Sequence, residues 1–509
     1  MLDRWLRQNT HYSLHLIGLL GIAVGLPLSK AVLSISTLAL LLNLFLKADF
    51  KSYFENWKNN RVFLLLLVFF MLHFVGLIWS ENIDYGLNDI WKKIPLLIVP
   101  AVGTAIPLKT SNDRRFVLLT FVVCVMLTSI VNVLTYHQVI GNQSIIEFRN
   151  MSQFGSHVRY ALLVVLAIVV MYHEIIINKR ILTAAFITIG WLIFYTFYSQ
   201  VLAGFIALIV AFFVILFYHF YSKRKVILIL FSSLSIILSI CFTTWLFYRP
   251  QIDKQVYRSK LENKSSEGNL YVHDLNLISP ETSKPIGEYI CWKELSREWA
   301  EISDLPFKGL DKKGQLLSQT LIRYMASMNL RKDAEGFSNL SNRDIANIEN
   351  GCASHFCNGI IARIYGLRYE ILNESNPNGH SMLQRIEYWK AGLSILQKNF
   401  FLGVGTGDVQ ATFNDYYTSE DSQLLEKNRL RTHNYYITVG LTFGLFGLVI
   451  FLWLHLEYFK TVQKSMNLIG LCFLWILLIS YISEDTLETQ VGVTLFSFFI
   501  TLFIRPIQE

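Results

Sequence analysis

Lipid offers no partner to a backbone N–H or C=O, so a chain that enters a bilayer does so as helices or as a closed barrel. This chain has twelve apolar stretches, at about 13–29, 31–46, 62–79, 94–108, 116–140, 159–177, 181–198, 201–220, 226–248, 434–456, 468–482 and 490–504. Barrel-type alternation is absent, and many of the runs approach the ~20 residues a helix needs to cross. Only one connection between them is long. It runs from 249 to 432 and ends in Arg431-Thr432-His433-Asn434, where the next apolar run starts. The expectation is an all-α polytopic membrane protein of about 12 transmembrane helices with one large, mainly helical module outside the bilayer. Residues 1–248 form a bundle of about nine helices, 249–433 the loop module, and 434–509 about three closing helices.

Charge supports the division. Charged residues make up 16% of the chain, against about 25% in an ordinary soluble domain, and they crowd into the long loop. The net charge of +8 is no nucleic-acid footprint, because much of the excess sits in short loops where it sets orientation. Lys47, Lys51, Lys58, Arg61, Lys109, Arg114, Arg115, Lys179 and Arg180 mark the cytoplasmic side. Both termini are then expected inside, with the first apolar run retained rather than cleaved, and the long loop is expected in the periplasm. Lys92, Lys93, Arg149, Arg159, Arg429 and Arg431 break this sorting on the outer side. Taken singly they read as interfacial charges; as a group they suit an anionic headgroup such as a diphosphate.

Within the loop, 263–267 and 280–285 are turn-rich, and 315–328 and 345–364 read as helices. The clearest helix is 381–400, where Met382, Ile386, Trp389, Leu393, Leu396 and Phe400 make one apolar stripe and Arg385 lies off it. Gly403-Val404-Gly405-Thr406-Gly407-Asp408 ends it, and another helix is expected to start near Asp408. These glycines have no Gly-Lys-Ser/Thr ending and no strand before them, which argues for a tight turn rather than a nucleotide loop. Amides at the following helix start remain open to a phosphate.

His433 is the foremost candidate for chemistry. It sits between a basic loop end and an apolar helix, and a neutral imidazole there can take a proton from a sugar hydroxyl; the alternative is an interfacial or capping histidine. Arg159, in Ser156-His157-Val158-Arg159-Tyr160 at the outer end of the sixth span, is either a donor fork at headgroup depth or a snorkelling side chain. Arg385 is either a second such fork or a solvated helix face. The short connection 484–490 carries Glu484, Asp485 and Glu488, which either position a ligand or simply form a polar hairpin. Cys124, Cys241 and Cys472 fall in spans, while Cys291, Cys352 and Cys357 lie in the loop, where one disulfide is expected with its pairing open. Cys352, His355 and Cys357 lack a fourth ligand for zinc.

Several motifs in order carry a resemblance. They are Gly76-Leu77-Ile78-Trp79-Ser80-Glu81-Asn82 leading to Lys92-Lys93, Ser156-His157-Val158-Arg159, Gln384-Arg385-Ile386-Glu387-Tyr388-Trp389, Leu402-Gly403-Val404-Gly405-Thr406-Gly407-Asp408 and His433-Asn434-Tyr435-Tyr436. Together with the long outer loop they resemble the O-antigen ligase and polymerase superfamily of bacterial cell-envelope enzymes, in a branch common in the Bacteroidetes.

The resemblance implies a GT-C-like membrane glycosyltransferase that needs no metal or cofactor. It would pass a glycan from undecaprenyl diphosphate to an acceptor hydroxyl outside the inner membrane, with inversion at the anomeric carbon. The acceptor would be lipid A-core for a ligase, another lipid-linked glycan for an O-antigen or exopolysaccharide polymerase, or serine or threonine for a protein ligase. It implies His433 as general base and Arg159 and Arg385 as diphosphate ligands, with Lys92, Lys93, Arg431 and His157 in support. One departure is that Ser199 is followed by Gln200, where many members have arginine. The rival readings are a polysaccharide transporter, against which matching broken helices are missing, and an envelope scaffold.

Overall fold

The computed structural model describes residues 10–140, 151–220, 241, 244–373, 377–379 and 381–504. Eleven of the twelve expected spans fall on these residues and each is helical. The ninth, 226–248, lies mostly outside them, as does Arg149. Seven described helices are long and apolar enough to cross a membrane, or eight if Phe50–Lys58 and Arg61–Val75, bent by 93°, form one span. Leu468–Ser483 and Gln490–Phe503 are apolar but shorter. The protein is therefore a predominantly helical, multi-pass membrane protein.

Polar residues at the water boundary start these helices. The Asn60, Asn82, Asn434 and Asn467 side chains and the Thr110 and Thr489 hydroxyls each accept a backbone N–H in the first turn. This removes part of the cost of free N–H groups at a helix end. Two spans differ from expectation. The proline-rich 94–108 run belongs to a longer helix, Ile83–Ala105, which continues through Pro95 and Pro100 and brings Asp89 and Lys93 one turn apart. The run expected at 434–456 is a helix, Tyr435–Lys464, broken at Gly444, whose φ of 65° lies in the left-handed region.

The chain divides into two compact units, one of Met1–Leu228 with Arg385–Glu509 and the other of Ile229–Gln384. In the first, Leu16, Phe69, Val99, Phe121, Val165, Phe451, Phe473 and Phe499 belong to one continuous apolar core. Arg385 to His433 packs within this unit. Tyr388, Ala391 and Ile395 from Ser381–Lys398 meet Val409, Phe413 and Tyr417 from Val409–Ser419, and Leu441. The buried face is offset from the stripe read from the sequence: Trp389 and Leu396 pack at its edge, while Leu393 and Phe400 are exposed. Tertiary packing chose the neighbouring face because Ala391 and Gly392 let Thr432 and Ile437 approach; a Cβ at Gly392 would lie 2.5 Å from Thr432 Cγ2.

The second unit has its own core of Leu295, Trp299, Leu321, Tyr324, Met325, Phe337 and Ile348. It is mainly helical but adds an antiparallel hairpin, Val272–Ile278 with Pro285–Ile290, joined by the turn-rich 280–285 stretch. The helix expected over 345–364 is two helices, Asn342–Glu349 and Gly359–Asn373. Gly351 (φ 75°) and a Cys352–Cys357 disulfide occupy the break between them. That pairing leaves Cys291 as a buried free thiol and joins the two sulfurs once weighed as metal ligands.

Candidate active site

Two of the quoted motifs, far apart in sequence, dock on each other. The Ser80 hydroxyl donates to Gly76 O at 2.7 Å and accepts from Gly407 N at 2.9 Å. The Asp408 carboxylate accepts the Glu81 and Asn82 amides at 2.9 Å, just ahead of the helix Ile83–Ala105. The Thr406 hydroxyl donates to His73 O at 2.8 Å. The glycines exist for close approach: a Cβ at Gly405 (φ 88°) would lie 2.6 Å from Gly76 O, and one at Gly403 (φ 73°) 2.3 Å from Thr442 O. The amides of Gly403, Val404, Gly405 and Thr406 are bonded to Asn399, Leu441, Thr442 and Gly76 carbonyls. With Gly407 N on Ser80, no amide from 403 to 407 is left to hold a phosphate.

This clamp fixes the helix that carries Asp89 and Lys93. The Lys93 ammonium is 3% exposed, 2.5 Å from Asp89 Oδ2 and 2.8 Å from Glu488 Oε1. The other Glu488 oxygen takes Arg431 Nη1 at 2.8 Å. Glu488 is therefore a hub between two cations. Burial alone would raise its carboxyl, but Lys93 and Arg431 hold it well below the usual carboxylate range. In turn Glu488, Asp485 and Asp89 outweigh burial and keep Arg431 firmly protonated. Breaking a buried pair of this kind strands a charge and is costly.

The 484–490 connection is thus no solvated hairpin. Glu484, Asp485 and Glu488 are all buried, and each binds part of the site. Glu484 Oε1 accepts from Arg159 Nη2 at 3.3 Å. Asp485 Oδ2 accepts the His433 backbone N–H at 3.1 Å, and Oδ1 accepts the Thr438 hydroxyl at 2.7 Å. Sequence reasoning passed over Asp89 and named Glu484, Asp485 and Glu488 without their partners. The available signal was three acids in five residues beside an apolar run, facing a surplus of unpaired outer cations.

His433 stands at the centre. Its backbone is left-handed, φ 48°, a conformation that costs a non-glycine residue energy and recurs at functional sites. Thr432 Oγ1 shares a hydrogen bond with Thr438 Oγ1 at 2.6 Å and accepts from Asn434 N, while Asn434 caps the helix. Both neighbours of the histidine are therefore anchored. Its ring lies 5.7 Å from the Tyr388 ring, and Tyr388 is one turn from Arg385. Buried Nδ1 has no hydrogen-bond partner among the described residues, nor does Arg159 Nε. Burial lowers the imidazole below its ordinary value, the Glu484 carboxylate pulls it back up, and Arg385, Arg431 and Arg159 push it down. The group is neutral near pH 7 and able to accept a proton.

The structure thus brings His433, Arg159, Arg385 and Arg431 into one electrostatic neighbourhood, with Lys93 held behind Arg431 through Glu488. Two other candidates have different surroundings. Lys92 is exposed, on a different side of its helix from buried Lys93. His157 lines a small cavity with Tyr160, Tyr195 and Ser199. Gln200, at the departure from the family pattern, takes a left-handed φ of 53° to cap the helix Leu182–Ser199.

Residues 348–452 match the family model described as O-antigen ligase. No curated protein matches the chain. The matched segment carries Arg385, the glycine turn, Arg431 and His433, and over that segment the chain is similar to the O-antigen ligase family, which supports that superfamily.

Proposed function

We propose that the protein transfers a glycan from undecaprenyl diphosphate to an acceptor hydroxyl at the periplasmic face of the inner membrane, and that the acceptor is lipid A-core. The observation that carries this reading is His433, held neutral and backbone-strained among Arg159, Arg385 and Arg431. In this scheme an imidazole nitrogen takes the acceptor proton as the hydroxyl oxygen bonds to the anomeric carbon. The bond from that carbon to the diphosphate oxygen breaks in the same displacement, which inverts the centre. Negative charge grows on the departing diphosphate, and Arg159 and Arg385 stabilise it more in the transition state than in the ground state. Arg431 adds field from its seat on Glu488, and Lys93 holds that seat. Lys92 and His157 stand at the periphery of the scheme.

The test is envelope glycan analysis of a deletion strain complemented with wild type or His433→Ala at matched protein levels. Long glycan missing from lipid A-core, with polymer accumulating on the lipid carrier, supports ligation. Single repeat units on the carrier would instead mean polymerisation. Unchanged glycans in the deletion and the variant would sink both and turn attention to a protein acceptor or a scaffold.

A further inference from the structure

The Ile229–Gln384 unit contains a cavity of about 470 Å³ that the transfer reaction does not use. Its size is that of a small-molecule site, which typically spans ~300–1,000 Å³. One wall is the disulfide-closed loop with Phe356, and another is the amide pair Gln315 and Gln319. Deeper lies a buried ion pair in which Arg323 Nη2 meets Glu281 at 2.9 Å. Glu281 is fixed by the Ser279 and Ser354 hydroxyls, each at 2.8 Å. The Arg323 guanidinium sits 4.9 Å from the Tyr369 ring, and its Nη1 has no hydrogen-bond partner among the described residues.

Gly366 bears on access to the cavity. It lies inside the helix Gly359–Asn373 and lines the cavity one turn after Ala362. Glycine weakens a helix interior relative to alanine. Its usual justifications are missing here: φ is not positive, and a Cβ at 366 would meet nothing within 4 Å. Gly366 is exposed, and a bare backbone at the cavity wall lets a ligand approach the helix closely.

We infer that this cavity binds neutral sugar units of a glycan. Charge decides against an anion, since Arg323 and Lys313 are balanced by Glu281 and Glu370. Gln315 and Gln319 each offer a donor and an acceptor to vicinal hydroxyls, and Tyr369 and Phe356 add apolar lining. The choice of sugar rests on the glycan-transfer reading; the existence of a ligand rests on the cavity and the unpartnered Arg323 Nη1.

The test uses the full-length His433→Ala protein in nanodiscs, so that no turnover intrudes. Saturation-transfer NMR and calorimetry are run with N,N′-diacetylchitobiose, maltose, lactose and D-glucuronate. At least one neutral disaccharide is expected to bind. Gly366→Ala should weaken it tenfold or more while leaving the thermal midpoint unchanged or higher, and Gln319→Ala, on the exposed wall, should weaken it too. Binding of no neutral disaccharide, equal binding by Gly366→Ala, or tighter binding of glucuronate would overturn the inference. Because His433 is already removed, a failed transfer assay would leave these outcomes readable.

Discussion

Asp485 accepts the backbone N–H of His433 at 3.1 Å while its other oxygen holds the Thr438 hydroxyl at 2.7 Å. One carboxylate from the last connection therefore locks a left-handed histidine onto the start of the helix Tyr435–Lys464. Asp485→Ala should lower the transfer rate by ~10²-fold, the scale of a misplaced catalytic group, with Asp485→Asn recovering part of it. His433→Gly should abolish transfer yet hold stability level or raise it by up to about 1 kcal/mol, since glycine relieves the left-handed strain. Transfer rates and thermal midpoints in detergent check both.

The acid limb of the pH–rate profile should lie below pH 6.5, the ordinary value of a histidine, because burial and three arginines favour neutral imidazole. Glu484 opposes them, so Glu484→Gln should move the limb further down. A limb at or above 6.5, or one moved upward by Glu484→Gln, would remove His433 from the role of base. Asp485 behaves differently: burial raises its carboxyl to about 6, against the pull of Arg431. Its folded value exceeds its unfolded one, so the folded state binds its proton more readily. Its effect is to reduce stability as pH rises from about 4 to about 6.

Glu488→Ala leaves Lys93 and Arg431 buried without their shared carboxylate, at a cost of about 3–5 kcal/mol. Thermal unfolding should show this loss even where transfer is not assayed. Glu488 is held below the usual range, so its stabilisation is full above pH ~4.5 and fades only as pH falls through its depressed folded value. Adding Arg431→Met to Glu488→Ala should return part of the stability, because Lys93 keeps Asp89 at 2.5 Å while Arg431 has lost its carboxylate.

Gly405→Ala should destabilise by at least about 1 kcal/mol from its positive φ alone, with more from the 2.6 Å approach to Gly76 O. The measurement is the thermal midpoint and the yield of monodisperse protein. A change confined to activity, with stability untouched, would contradict the clamp between 76–82 and 403–408.

Cys352→Ser with Cys357→Ser opens a short loop and should cost about 2 kcal/mol. Hydrogen exchange should rise in 351–357 and at the adjoining end of the helix Gly359–Asn373, and stay unchanged in the membrane helices.

Where the chain is helical and apolar is legible in one dimension, because lipid leaves the backbone few solutions and a run of apolar residues announces them. The sequence also singled out His433, Arg159 and Arg431, since polar groups at the edge of apolar runs are conspicuous, while Arg385 drew its role from the family resemblance. Only the tertiary structure decided how those charges are answered. Glu484, Asp485 and Glu488 look like a polar hairpin until folding brings Arg159, the His433 amide, Lys93 and Arg431 onto them. The same holds for the face of Ser381–Lys398 that is buried and for the glycine turn, whose amides go to carbonyls from three other segments. A one-dimensional pattern records the period of a helix and the sign of a charge. It holds no record of partners hundreds of residues away, and partners are what turn a set of scattered arginines into a site.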